Sequence, residues 1–517
     1  MPHKFRLFNW LFILLGATMT WVLTRAEADH VCISAAGVMG SLGILWFAAF
    51  RRGFVEHVLK QLHYRVPAVL FSLVAWYYHG YKGFIKPLDF SLDFYIRAGA
   101  ALLSFFAIFV LFTWLIEQSI SASKVFLNSL DKAEKYYLAI SVLVVSLGII
   151  WGYNQTNVFF NAPYDDLVYN ADSHSITVSN ANLYINSPKN NIKQPLYGLF
   201  ALPFAIPAKI LSRVFFFVPN GYSILLSIVQ VILLQITLIL ISRMLNLTSI
   251  YKLSFFLLFN ATYPFLLFSL VNEQYIISLF WLILFFYACL TDHKNKTLPF
   301  IGAVGSLLTS GIVFPLLSNA RKFHDWFKEV ALAGLKLLGV AIVFGQLPLI
   351  THAYTEIQTQ LNNWTGAKLT FAEKLLQYLN FAAACFIKPA ATIDATYHLA
   401  PVTAVNLVGV VVLLLALLGF LTNAKNKFAQ FCLGWVLYSF LLLCVIGWGT
   451  QDNDLILYAL YFSWAFVALV FLAVCSLLQK WPQAARVLLG ILIAALLTAN
   501  LPGIIEIVQW GMRYYPN

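Results

Sequence analysis

The residues best equipped for chemistry in this sequence sit together in one polar stretch, residues 154–194, NQTNVFFNAPYDDLVYNADSHSITVSNANLYINSPKNNIKQ. It contains Asp165, Asp166, Asp172, His174, Lys189 and Lys193 between long apolar runs. A carboxylate just above an apolar layer is suited to taking a proton from a hydroxyl nucleophile while a lipid-linked leaving group waits at the membrane surface. The leaving phosphate then needs cationic or amide donors. Lys189, Lys193 and His174 stand in the same stretch, and Lys368, Lys374, Lys388 and His398 in a second polar segment, residues 351–399. The plainer alternative is that these acids are solvated or cap helices, with Asp172 capping a helix that starts at Ser173. A stretch of about 40 residues is long for a connection and is functional or disordered as a rule. Its aromatics, Phe159, Phe160, Tyr164, Tyr169 and Tyr184, argue for order.

Two smaller polar elements carry acids as well. One is Gly447-Trp448-Gly449-Thr450-Gln451-Asp452-Asn453-Asp454, followed at once by an apolar run. It reads either as a turn with acidic helix caps or as a wall beside the main stretch. The other is Glu273 in Val271-Asn272-Glu273-Gln274-Tyr275. A charge this close to a hydrocarbon boundary is often functional.

The elements that must position these residues are membrane helices. Of the 517 residues, 61% are hydrophobic and 10% charged, and the mean hydropathy is +0.79. A soluble domain is about a quarter charged, and only a bilayer hides so much apolar surface. The apolar runs are continuous and lack the alternation of an outer-membrane barrel, so the chain reads as all-α. Although the net charge is +12, most Lys and Arg fall in short loops, where they set orientation, and no nucleic-acid partner is expected. The six cysteines lie in or beside apolar runs and imply no disulfide framework. No Walker A, HExxH or GxSxG motif is present, and no run carries an ionisable residue at its clear midpoint, as ion-coupled transporters usually do.

Counting positive loops inside predicts about 13 crossings. Residues 8–24, read as an uncleaved span, 31–50, 66–81 and 95–117 precede a span at 137–153. The main polar stretch then lies outside. Residues 195–212 contain Pro203 and Pro207 and are expected not to cross, because a full crossing would put Arg243 and Lys252 outside. Spans follow at 222–241, 253–270 and 275–290. Residues 298–317, rich in Gly with Pro315, are expected to enter and return, and 331–349 to exit. Four spans follow the second outside segment, at 401–421, 428–448, 455–478 and 487–504. The resulting divisions are 1–153, 154–220, 221–350, 351–399 and 400–517.

The order of these features resembles the integral membrane glycosyltransferases of the GT-C superfamily. The likeness rests on an extracytoplasmic loop with Asp residues, followed by Lys193-Gln194-Pro195-Leu196-Tyr197 and a Pro-containing helix, then Asn260-Ala261-Thr262-Tyr263-Pro264-Phe265 and Asn272-Glu273-Gln274. It covers roughly residues 139–300 well. The Gly447–Tyr461 stretch, with Asp452 and Tyr458, is similar to a late glycine-acidic-Leu-Tyr element of bacterial members. Gln194 stands where many members have His, and the four spans ahead of the loop are a departure. The resemblance implies sugar transfer from a polyprenyl-phosphate donor to a cell-envelope glycan or lipid-linked acceptor, with inversion, at the outer face of a plasma or inner membrane. Asp172 best matches the loop base, with Asp165 and Asp166 as close rivals. Lys189, Lys193, His174, Gln194, Lys388 and His398 are then candidates for the carrier phosphate, and Glu273, Asp452 and Tyr458 for support. No cofactor is required by any motif, and some members use a divalent ion. An O-antigen-type polymerase or ligase and a lipid-linked glycan flippase are the alternative expectations.

Overall fold

The computed structural model describes residues 62–76, 116–117, 119–159, 167–184, 187, 189–293, 296–320, 322–343, 346, 349 and 352–517. The first four expected spans therefore lie outside the described residues, apart from α1 and residues 116–117. In chain order the helices are α1 (Leu62–Trp76), α2 (Lys132–Gln155), α3 (Ser173–Thr177), α4 (Tyr197–Val214), α5 (Gly221–Met244), α6 (Ser249–Asn260), α7 (Tyr263–Leu270) and α8 (Tyr275–Leu290). They continue with α9 (Thr297–Ser306), α10 (Phe323–Val343), α11 (Ala353–Trp364), α12 (Phe371–Ala384), α13 (Leu407–Thr422), α14 (Lys427–Ser439), α15 (Ala459–Leu477) and α16 (Pro482–Tyr514). Among the described residues the one sheet is a hairpin of β1 (Ala391–Ile393) and β2 (Tyr397–Leu399). The protein is thus an all-α membrane protein.

Five helical stretches are long and apolar enough to cross a bilayer: α2, α5, α14 with its π-helical continuation to Ile446, Leu455–Leu477, and α16. A sixth candidate is the pair α6–α7, two helices bent by 65° that together match the length and apolarity of a span. The run expected as a span at residues 253–270 is two helices meeting at this bend. Pro264 opens α7, and proline cannot continue the helical hydrogen-bond ladder behind it. The exposed polar backbone at the bend must find partners inside the protein, and Asn500 supplies them. Its Nδ2 donates to Ala261 O (2.8 Å) and Phe386 O (2.7 Å), and its Oδ1 accepts from Lys388 N (2.8 Å). Helix α16, expected over 487–504, is also corrected: it runs 33 residues, or about 50 Å at the helical rise, longer than a bilayer core is thick.

The chain divides into two compact units. One comprises Asp131–Ser179, Val218–Asn295 and Ile357–Asn517; the other comprises Met1–Leu130, Asn180–Phe217 and Lys296–Glu356. The boundary at 179/180 falls inside the stretch that the sequence reading took as one catalytic loop.

In the first unit the helices run between two faces. At one face Asp131 and Glu134 form a capping box that starts α2. Glu134, 1% exposed, pairs with Arg243 Nη2 at 2.7 Å and Lys252 Nζ at 2.8 Å, and Lys252 also meets Asp131 at 2.7 Å. The start of α2, the end of α5 and the start of α6 therefore share this face. Tyr251 packs edge-on against Phe471 near the end of α15, and Asn423 Nδ2 donates to Ser476 Oγ. These contacts bring Lys425, Lys480 and the helix starts bearing Lys427 and Arg486 to the same face. At the other face, Thr156 bridges Pro516 and Asn157 N donates to Tyr515 O at 2.9 Å. There Asn272 Nδ2 reaches Tyr153 OH and Ser227 Oγ, both at 2.9 Å. The chain leaves α2 at this second face and re-enters it with α5. The bend in α6–α7 leaves this pattern intact, and α8 returns to the first face.

Helix α15 is buried along the apolar window of its length and forms the centre of the unit. Helix α13 lies against it so closely that a Cβ on Gly419 would stand 1.9 Å from Leu469 O. Outward-facing Leu143, Leu147, Leu414, Leu437 and Ile491 on the outer helices are exposed, an apolar surface suited to lipid.

In the other unit α4 follows Lys193-Gln194-Pro195-Leu196, which is stitched to the break between α9 and the 3₁₀ helix Leu308–Leu317. Leu308 N donates to Lys193 O at 2.6 Å, and Leu196 N donates to Gly305 O at 2.7 Å. Helix α9 gives way to the 3₁₀ helix at Leu307, whose backbone is extended. Helix α10, carrying Asp325, Lys328, Glu329 and Lys336, is not among the helices apolar enough to cross.

Replacing Asn500 by Leu removes the partner of Lys388 N and a donor from two carbonyls inside an apolar protein. Each such group costs about 1–3 kcal/mol when left unpaired. The variant is expected to melt several degrees below wild type in detergent, and thermal unfolding equal to wild type would contradict the role given to this amide.

Candidate active site

The polar segments of the first unit meet at its second face. Leu167 and Val168 run beside β2: Tyr397 N donates to Leu167 O (2.8 Å) and Tyr169 N to Tyr397 O (2.7 Å). The chain then turns through two consecutive left-handed residues, Tyr169 at φ 52° and Asn170 at φ 57°, a conformation that side chains other than Gly adopt only where surroundings impose it. Tyr169 is 2% exposed, and its hydroxyl lies 3.0 Å from that of Tyr263 at the start of α7. Burial, reinforced by Tyr263 and Tyr397, pushes the Tyr169 phenol well above its ordinary pKa, so it stays neutral. Asn170 Nδ2 donates to Asp454 Oδ1. Two residues on, this elbow delivers Asp172.

Asp172 does occupy the cap position of α3, but its side chain makes no capping hydrogen bond. Its Oδ2 instead accepts from Gln274 Nε2 at 2.8 Å. Its backbone N donates to Glu273 Oε2 at 3.0 Å, and Gln274 N donates to Glu273 Oε1 at 2.8 Å. Glu273, 1% exposed, thus has each carboxylate oxygen facing a backbone N–H, a geometry that solvates its charge without water. The short turn between α7 and α8 performs this positioning. Gln230 Nε2 of α5 donates to Glu273 O at 3.3 Å, and Asn272 is anchored on α2 and α5 as described above.

Asp454 follows the same logic. It sits at the start of the 3₁₀ helix Leu455–Tyr458 without capping it, is 5% exposed and receives Asn170. The Gly447 and Gly449 turns, both at positive φ, fold this segment back, and Trp448 Nε1 donates to Tyr458 OH at 2.8 Å. The Tyr458 ring stands 5.3 Å from that of Tyr275.

Of the residues expected from the sequence, Asp172, Glu273 and Tyr458 come together here. His174 lies half-buried two residues beyond Asp172, and Asp452 is exposed. The acid of the late element that turns inward is Asp454. Lys388 is tied to Glu506; burial opposes its charge, but the Glu506 carboxylate outweighs this and holds its pKa above the ordinary value. His398 stands in β2, paired in register with Thr392. Lys189, Lys193 and Gln194 belong to the other unit, where Gln194 is 2% exposed and begins the turn into α4. Asp165 and Asp166 lie outside the described residues. Reading the sequence missed Asp454, Gln274, Asn170 and Gln230. Only Asp454 left a signal, as the second acid of an Asp-Asn-Asp run.

Comparison with protein-family models, with curated proteins and with solved structures finds no match to this chain.

Glu273→Gln would set an amide NH₂ against one of the two backbone N–H groups. It is expected to lower thermal stability by about 1–3 kcal/mol, read as a lower melting temperature. Unchanged melting would contradict the described clamp.

Proposed function

We propose that this protein is a glycosyltransferase that moves a sugar from a polyprenyl-phosphate carrier to a cell-envelope glycan or lipid-linked acceptor. The observation that carries the reading is the carboxylate of Asp172, which is spent on no helix cap and is oriented by Gln274 beside the buried Glu273. It stands at the second face, where a lipid headgroup is within reach. The order of motifs that resembles the GT-C superfamily supports the same reading. The basic loops gather at the opposite face, which under the positive-inside rule is cytoplasmic. The site then works outside the cytoplasm, in a plasma or inner membrane.

In the proposed reaction the acceptor hydroxyl attacks the anomeric carbon from the side opposite the phosphate. The new C–O bond forms as the bond from that carbon to the phosphate oxygen breaks. Polyprenyl phosphate leaves with the electron pair, the hydroxyl proton passes to Asp172, and the anomeric configuration inverts. Gln274 keeps one carboxylate oxygen fixed, which lowers the cost of aligning base and nucleophile. His174 and His398 of this unit are candidates for the leaving phosphate. Lys388 is engaged by Glu506 and is the weakest of these candidates. Among the described residues no group of three His, Cys, Asp or Glu could hold a metal ion, and no step is routed through one.

Asp172→Asn, isosteric and unable to accept the proton, is expected to reduce sugar transfer by about 10²–10⁴-fold. Asp165→Asn and Asp166→Asn are the controls, measured with purified protein and labelled polyprenyl-phosphate sugars. Full activity in Asp172→Asn would overturn the assignment of the base.

A further inference from the structure

Helix α11 differs from its neighbours in having no buried residue among its 12. It is neither among the helices that could cross a bilayer nor among the shorter apolar ones. A helix of this length is marginal in water on its own and is stabilised by covering an apolar face. Residues 357–364, the part of α11 in the site-bearing unit, have such a face. Ile357, Leu361 and Trp364 recur at helical spacing on one side, and Thr359, Asn362 and Asn363 take the other. Ile357 is 43% exposed and Leu361 38%, so the protein leaves this ridge bare.

The end of α11 is fixed at the second face. Gly449 N donates to Trp364 O at 2.8 Å, Gly366 N donates to Thr450 Oγ1 at 3.0 Å, and Thr365 bridges Trp448. These partners belong to the Gly447–Asp454 turn, whose Asp454 receives Asn170 of the elbow. Immediately before that turn, Leu437, Leu441, Val445 and Ile446 of α14 and its π-helical continuation are exposed. They form part of the apolar surface suited to lipid. The bare ridge of α11 is therefore attached where the lipid-facing side of a candidate span reaches the second face. Beyond the helix, Lys368 is exposed.

We propose that residues 357–364 lie in the plane of the bilayer leaflet at the second face and dock on its phospholipids. Ile357, Leu361 and Trp364 enter the boundary between headgroups and acyl chains, and Asn362 and Asn363 face water. A helix of 12 residues spans about 18 Å, less than the thickness of a bilayer core. With one apolar and one polar side it settles in the interface instead of crossing. Trp364 suits that depth because an indole pairs an apolar body with a polar N–H. Lys368 follows where an ammonium group meets lipid phosphates. The contact with lipid then sets the height of the Gly447–Asp454 turn relative to the headgroups, and through Asp454 and Asn170 the height of the elbow. The anchor is independent of the reaction that the site performs.

The test replaces Ile357, Leu361 and Asn362, one at a time, by p-acetylphenylalanine carrying a ketone-reactive nitroxide, which leaves the native cysteines unlabelled. The full chain is placed in nanodiscs of phosphatidylethanolamine and phosphatidylglycerol. Collisions of the nitroxide with oxygen, which concentrates in the bilayer, are compared with collisions with a water-soluble nickel chelate. The oxygen-to-nickel ratio is expected to be several-fold higher at 357 and 361 than at 362. Equal ratios, or a higher ratio at 362, mean that the ridge faces water and overturn the proposal. Exclusion of both reagents at 357 and 361 means that protein covers the ridge, whether this chain or a second copy, and overturns it equally. All three positions are exposed, so the labelled proteins should melt as wild type does. If one ridge label lowers the melting temperature, the other ridge position decides.

Discussion

Backbone polar groups inside a bilayer must be satisfied by the protein, and in the site-bearing unit this constraint converges on the amide of Asn500. The bend between α6 and α7 exposes Ala261 O, and the exit from α12 exposes Phe386 O and Lys388 N. Asn500 takes all three, while Tyr263 N closes on Phe386 O. Once this joint is made, Tyr263 begins α7 in a fixed place, and its hydroxyl meets Tyr169. Tyr169 in turn fixes the left-handed elbow from which Asp172 projects. One side chain in the middle of a long helix thereby determines where a loop carboxylate stands.

The same economy governs the charges. At the first face the acids Asp131 and Glu134 are matched by Arg243 and Lys252, which ties three helices together around the buried Glu134 carboxylate. At the second face the acids are held differently. Glu273 faces backbone amides and Asp172 and Asp454 receive side-chain amides from Gln274 and Asn170. Neutral donors orient a carboxylate without cancelling its charge. These amide bonds set the direction in which each carboxylate points.

Much of this was legible in the sequence. Composition gave the membrane class, and loop charges grouped the basic loops on one face and the segments at 154, 272 and 447 on the other. Glu273 and Asp172 stood out because acids beside apolar runs are costly and hence informative. Asn500 and Gln230 did not, since a lone amide within an apolar helix leaves the hydrophobic pattern intact and its partners are remote in sequence. Pro264 marked the α6–α7 bend, yet the apolar run continues across it and reads as one span. Asp452 and Asp454 are indistinguishable by type, and only the Gly447 and Gly449 turns decide which faces inward.

The account's central claim is that the second face forms a glycosidic bond. The most direct measurement is reconstitution of the purified protein in liposomes, with a polyprenyl-phosphate sugar labelled in both sugar and phosphate and a cell-envelope acceptor supplied on one side. The account predicts that sugar label passes to the acceptor with inverted anomeric configuration, that polyprenyl phosphate is released in equal amount, and that this requires acceptor at the second face. Movement of the intact carrier across the bilayer, with both labels still joined and no new bond, would contradict it.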